Sequence, residues 1–318
     1  MQPNTSTAPP EPDACNLPTY RIAGETRAAG ARLRLLGITL VALASGVAVS
    51  ALLGPLVLGA LQYRTSPTTV NQLTGSDAAG LLVVAPLALV AGVLALRRSP
   101  VAPLLALGPG VYVVYTFAQV IIGQEYLRLP GNVERFFPLL LAVFVLGEAV
   151  VVLGWGAVPA DLPVASRRLE RTGGAALILV AVFLVFGQHL RPMLTAWQHP
   201  EALTEYASSP TPFWMVKLMD LGIVVPAALA TGIGVLRAAA WARRAMYALL
   251  TGYTCLAISV SAMAVIMLVR DDPDASPGLA AGFVAFALLF GTLTALLYRP
   301  LFARSRLPEA GIGGGRRR

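Results

Sequence analysis

Eight apolar stretches, each close to the length that crosses a bilayer, divide this chain. They run at about 35–61, 78–96, 101–123, 136–157, 174–190, 213–236, 245–269 and 278–298. About 20 helical residues span a hydrocarbon layer of about 30 Å. Backbone polar groups in lipid must be satisfied within their own segment, so stretches of this kind cross as helices. The expected fold class is all-α: a polytopic membrane helix bundle of about eight transmembrane helices.

Composition agrees. Hydrophobic residues make up 56% of the chain and charged ones only 13%, too few to cover the surface of a water-soluble fold this size. The net charge of +8 would point to nucleic acid in a soluble protein, but the arginines cluster in the joints between apolar stretches. One set of joints and both tails carry Arg21, Arg27, Arg32, Arg34, Arg97, Arg98, Arg167, Arg168, Arg171, Arg237, Arg243, Arg244, Arg299, Arg304, Arg306 and Arg316 to Arg318. The alternate joints hold only Arg64, Arg128, Arg135, Arg191 and Arg270. Basic loops stay in the cytosol, so both termini are expected there, in a bacterial plasma (inner) membrane. The single lysine, Lys217, among so many arginines, with abundant Ala, Gly and Pro, fits a GC-rich bacterial source.

The expected organisation is a disordered cytosolic tail over 1–33, four-helix membrane repeats over 34–157 and 158–298, and a basic cytosolic tail over 299–318. The first apolar stretch is too long for a signal-peptide core. It is expected to stay as a helix, although Ala42 to Ala48 offers small residues like those of a cleavage site. The repeat rests on spacing. Ser66-Pro67-Thr68 precedes Asp77 as Ser209-Pro210-Thr211 precedes Asp220, and Pro86, Gly92 and Arg97 recur as Pro226, Gly232 and Arg237. An even number of helices per half makes such a repeat parallel. Prolines 86, 109, 138 and 226 are expected to kink their helices.

Ionisable residues at membrane depth are the natural functional candidates, because burying them is costly. Glu148 falls near the middle of the fourth helix. Lys217 and Asp220 stand three residues apart in the sixth and could pair along one face. Glu125 closes the third helix. Tyr112, Tyr115, Thr116, Gln119 and Tyr126 form one polar stripe, and Tyr247, Thr251, Thr254 and Ser261 another, both expected to face the bundle interior. Tyr115 and Gln119 would line a cavity, with His189 near the same end. The tentative ligand-binding set is Glu125, Glu148, Lys217, Asp220, Tyr115, Gln119 and His189. Cys15 and Cys255 cannot build a disulfide framework. With two histidines and no Walker loop, dinucleotide fingerprint or zinc-protease motif, no cofactor or metal is expected.

Gly75-Ser76-Asp77, Pro86, Arg97-Arg98-Ser99, Gly108, Tyr112, Tyr115, Asn132 and Phe136-Phe137-Pro138 together resemble an uncharacterised bacterial family of multi-pass integral membrane proteins, over about residues 65–145. The resemblance implies fold and location and carries no reaction or substrate.

Three roles are open to such a chain. The first is transport or binding of a small molecule in an outward-facing cavity between two four-helix halves. The second is a non-catalytic subunit or scaffold beside a membrane-protein partner. The third is a membrane-embedded enzyme acting on lipid or envelope material, with His189 and Glu125 as its acid–base pair. The lipid bilayer is a partner in each; nucleic acid is in none.

Overall fold

The computed structural model describes residues 18–159, 162 and 165–304. Among them are eight helices long and apolar enough to cross a membrane: Ala28–Leu53, Pro67–Leu96, Ala102–Ile122, Val133–Ala157, Arg167–Gln198, Pro210–Leu236, Ala240–Val269 and Pro277–Phe302. They are called spans 1 to 8. No strand occurs among the described residues.

The spans begin and end where chain chemistry changes, not where the apolar runs do. Span 1 belongs to a helix that starts at Pro18, inside the segment expected to be a disordered tail. Residues 27–36 are rich in Ala, Arg and Leu, all strong helix formers, and a helix nucleated in the membrane propagates outward through them. That helix ends at Leu53 and not near Leu61, because Gly54-Pro55 cannot continue it. Spans 2 and 6 start earlier than their apolar runs. Ser66 caps span 2 by accepting from the Thr69 N–H, and Pro67 sits in the first turn, where its missing N–H costs nothing. Span 5, expected to be the shortest, is the longest. Ser166 caps it at one end and it runs on through the polar Gln188 and His189. The last helix continues to Arg304. Cys15 and the remainder of both expected tails lie outside the described residues.

Three spans contain π-helical segments: Gly80–Val84, Phe183–His189 and Asp220–Val224. In the first and third the cause is proline. Pro86 and Pro226 each follow such a segment by two residues. The Ala85 N–H donates to Gly80 O and the Val225 N–H to Asp220 O, five residues back. The wider turn makes room for a ring that would collide with the carbonyl four residues before it. Pro109 is accommodated inside the span 3 helix. Pro138 lies in the first turn of its helix and produces no kink.

Spans 3 and 7 cross at the centre. Span 1 packs on span 2 as span 5 packs on span 6; span 3 packs on span 4 as span 7 on span 8; and span 2 meets span 7 as span 3 meets the start of span 6. Gly37 and Gly92 let spans 1 and 2 approach backbone to backbone, and Gly174 and Gly232 do the same for spans 5 and 6.

At one end of the bundle the connections are tied together. Asn132 Oδ1 accepts from the Gln62 N–H at 2.9 Å, and Gln124 Oε1 accepts from the Arg64 N–H at 2.7 Å. Asn71 Nδ2 donates to Asp272 at 2.6 Å, and Ser209 Oγ accepts from the Ser66 N–H at 3.0 Å. All the functional candidates but Glu148 gather at or beneath this end.

Candidate functional site

Two of the π segments meet at a carboxylate. Asp220 is the first residue of the segment in span 6, and His189 is the last residue of the one in span 5. His189 Nε2 lies 2.7 Å from Asp220 Oδ2, and the Tyr115 hydroxyl of span 3 donates to Asp220 Oδ1 at 2.5 Å. Asp220 is 9% exposed and His189 6%. Each carboxylate oxygen thus has a partner from a different span. The Tyr253 hydroxyl donates to Val224 O at 2.9 Å and ties span 7 to the same π segment. A π turn leaves backbone geometry that an ordinary helix does not, and such turns recur at functional sites.

Lys217 stands one turn before Asp220 but does not pair with it. Its ammonium sits over the Phe213 ring, 3.3 Å from the centroid. Helical side chains point back toward the N-terminus, which carries Lys217 toward residue 213 and away from residue 220. Phe213, Trp214, Trp197 and Tyr206 form an aromatic cluster around this turn. Lys217 is 6% exposed and makes no ion pair among the described residues. It lines a cleft of about 520 Å³ between spans 3, 5 and 6. Ile122, Met193, Trp214, Met215, Leu218 and Leu221 supply apolar walls, and Thr211 stands at the rim.

Of the seven candidates, Tyr115, His189 and Asp220 are in direct contact, and Lys217 faces the adjoining cleft. Gln119 follows Tyr115 by one turn and lies within reach of its hydroxyl. Glu125 has a structural task. Its Oε1 accepts from the Thr211 N–H at 2.7 Å, its own N–H donates to Arg64 O, and Oε2 lies 3.6 Å from Arg128. It is a buried cap on span 6. Glu148 is far from the others, on the outward face of span 4. Of the polar stripes, Tyr112, Tyr247, Thr251 and Ser261 are buried as expected. Tyr126 is not part of its stripe: the helix stops at Ile122, and the exposed Tyr126 donates back to Ile121 O.

One acid escaped attention as a site. Asp77, noted in the sequence only for the repeat, accepts from the Tyr63 hydroxyl on both oxygens at 3.2 Å. It borders a small cavity of about 20 Å³ with Ser50, Ser76, Tyr112 and Thr116, room for about one water. The polar run Thr74-Gly75-Ser76-Asp77 inside a spanning helix was the available signal.

Comparison with family models, curated proteins and solved structures finds no match.

Proposed function

We propose that this chain is a bacterial plasma-membrane protein that binds a small amphiphilic anion in the cleft beside Lys217, one helical turn from the Asp220–His189 contact. The bundle is a parallel 4+4 repeat with both termini in the cytosol. In that orientation the arginine-rich joints stay inside, and the cleft opens at the outer leaflet, at the junction of the two halves.

One observation carries this reading: a lysine that is almost fully buried, with Glu205 and Asp220 near enough to act on its charge but no carboxylate within ion-pair distance among the described residues, lines an apolar cleft. A desolvated ammonium without a counterion is costly. An anionic head group would neutralise it, while an acyl or aryl body would fill the apolar walls. The like pairing of spans 1 and 2 with 5 and 6, and of spans 3 and 4 with 7 and 8, supports the repeat, although span 1 packs broadly on span 4 and span 5 barely touches span 8. The scaffold reading has no comparable observation at this site.

The test uses the full chain in lipid nanodiscs and two fluorescent probes of equal length, a long-chain carboxylate and a long-chain alcohol. The carboxylate is expected to bind about tenfold or more tightly, one charged contact's worth. Lys217→Gln is expected to bring the two probes to parity without loss of fold. Equal affinity of the wild-type protein for both probes would refute the reading.

A further inference from the structure

We propose that two copies of this chain pack through span 4, with Glu148 of one copy hydrogen-bonded to Glu148 of the second. The starting point is a carboxyl in the wrong solvent. Glu148 is exposed on span 4 and makes no hydrogen bond or ion pair among the described residues. Its neighbours along that face are exposed Val145 and Val152. At about 1.5 Å per residue it lies roughly 13 Å from the nearer helix end at Ala157, well beyond the reach of a glutamate side chain. A carboxyl held in hydrocarbon at that depth costs several kcal/mol unless something outside this chain satisfies it.

The surrounding face has the pattern of a helix-packing seam. Pro138, Leu141, Val145, Glu148, Val152 and Trp155 recur at alternating steps of three and four residues, and every one is exposed. That is the heptad spacing of a left-handed helix pair. Beside the seam, Ala142, Ala149 and Gly156 repeat at intervals of seven. Gly156 has open space where a Cβ would stand. Small residues at this spacing let a second backbone come close. A lone polar residue in such a seam fixes register and oligomeric state.

The second copy is the occupant that this chemistry selects. Every copy inserts in the same sense, so two span 4 helices meeting about an axis along the membrane normal are parallel, and like residues meet at like depth. A neutral carboxyl is its own complement: each O–H donates to the other's C=O, and two orphan groups vanish together. No cation is needed, and Lys217 is buried on span 6, away from this face.

The test uses the full chain in liposomes at high dilution. In a Cys15→Ser, Cys255→Ser background, Val152→Cys is expected to cross-link into dimers under mild oxidant. Leu288→Cys, equally exposed at 68% on span 8, is not. By energy transfer between labelled copies, Glu148→Gln is expected to keep the wild-type dimer affinity, because an amide is also self-complementary. Glu148→Leu should weaken it about tenfold, the loss of two hydrogen bonds in lipid. Leucine in this position faces lipid and does not endanger the fold. Cross-linking of Val152→Cys no stronger than that of Leu288→Cys would overturn the proposal. So would a Glu148→Leu dimer as tight as wild type.

Discussion

Gly75→Ala should loosen the joint between spans 2 and 7 more than any other single methyl. A Cβ on Gly75 would lie 2.6 Å from the Ala262 carbonyl carbon and closer still to the Met263 N and Cα. These are backbone atoms of a spanning helix, so no rotamer change relieves the clash. The helices must separate by about 1 Å to restore ordinary contact. That movement stretches the bonds beside it: Ser76 Oγ to the Tyr112 hydroxyl at 3.1 Å and Ser259 Oγ to Ser76 Oγ at 3.2 Å both pass beyond hydrogen-bond range. Overpacking costs about 1–3 kcal/mol and each lost bond about 0.6 kcal/mol, so the total is about 2–4 kcal/mol. The control is Gly282→Ala on span 8, where a Cβ meets nothing within 4 Å. Both variants gain the same helix propensity of up to about 1 kcal/mol, and only one clashes. Cys255 is buried, which makes it a native reporter. In a Cys15→Ser background, the temperature at which a thiol dye reaches Cys255 measures unfolding in detergent. Gly75→Ala should lower that midpoint by about 3–6 °C relative to Gly282→Ala. Equal midpoints for the two variants would refute the tight backbone contact and the packing argument built on it.

Three further outcomes follow from the same contacts. Glu125→Ala removes the acceptor for the Thr211 N–H and should cost about 1 kcal/mol, while Glu125→Gln, which keeps an acceptor oxygen, should stay near wild type in the same thiol assay. Gly108→Ala drives a methyl into Thr251, whose Cβ would lie 3.0 Å away; adding Thr251→Ser removes the nearest atom and should recover about 1 kcal/mol, read as non-additivity in a double-mutant cycle. Burial, and next the Asp77 carboxyl, raises the Tyr63 phenol well above its ordinary pKa. The stability tied to the protonated phenol is therefore complete below that ordinary value and falls as pH climbs through and above it. Tyr63→Phe should flatten the alkaline part of the stability–pH curve; an unchanged slope would remove this role.

The eight crossings were legible because apolar length is a property of single segments. The boundaries were not, because helices continue beyond the hydrocarbon wherever a cap permits. Ser66-Pro67 and Ser166 supply such caps, and Gly54-Pro55 withdraws one. The site was legible as a set of residues but not as a set of bonds. Spacing along one helix joined Lys217 to Asp220. The fold instead joins Lys217 to Phe213, four residues back, and gives Asp220 to His189 and Tyr115 from two other spans. Nothing local signals such partners. Glu148 illustrates a second limit. Span 4 is apolar on all sides, so no periodicity separates its buried face, along Val143, Gly147 and Val150, from its exposed one.

On the proposed repeat, the two halves treat their aspartates in opposite ways. Asp77 is held by Tyr63, which descends from the neighbouring connection, and the space around it admits about one water. Gly54 leaves room for the Asp77 carboxyl: a Cβ there would collide with it. Asp220 is held by two side chains from within the bundle, and the helix turn before it opens on a cleft more than twenty times larger. The same Ser-Pro start and proline-linked π turn therefore support a half-buried acid beside a small cavity in one half and a buried acid one turn from a larger cleft in the other. On the binding role proposed for the cleft beside Lys217, substitution at Asp220 should alter binding where substitution at Asp77 alters stability.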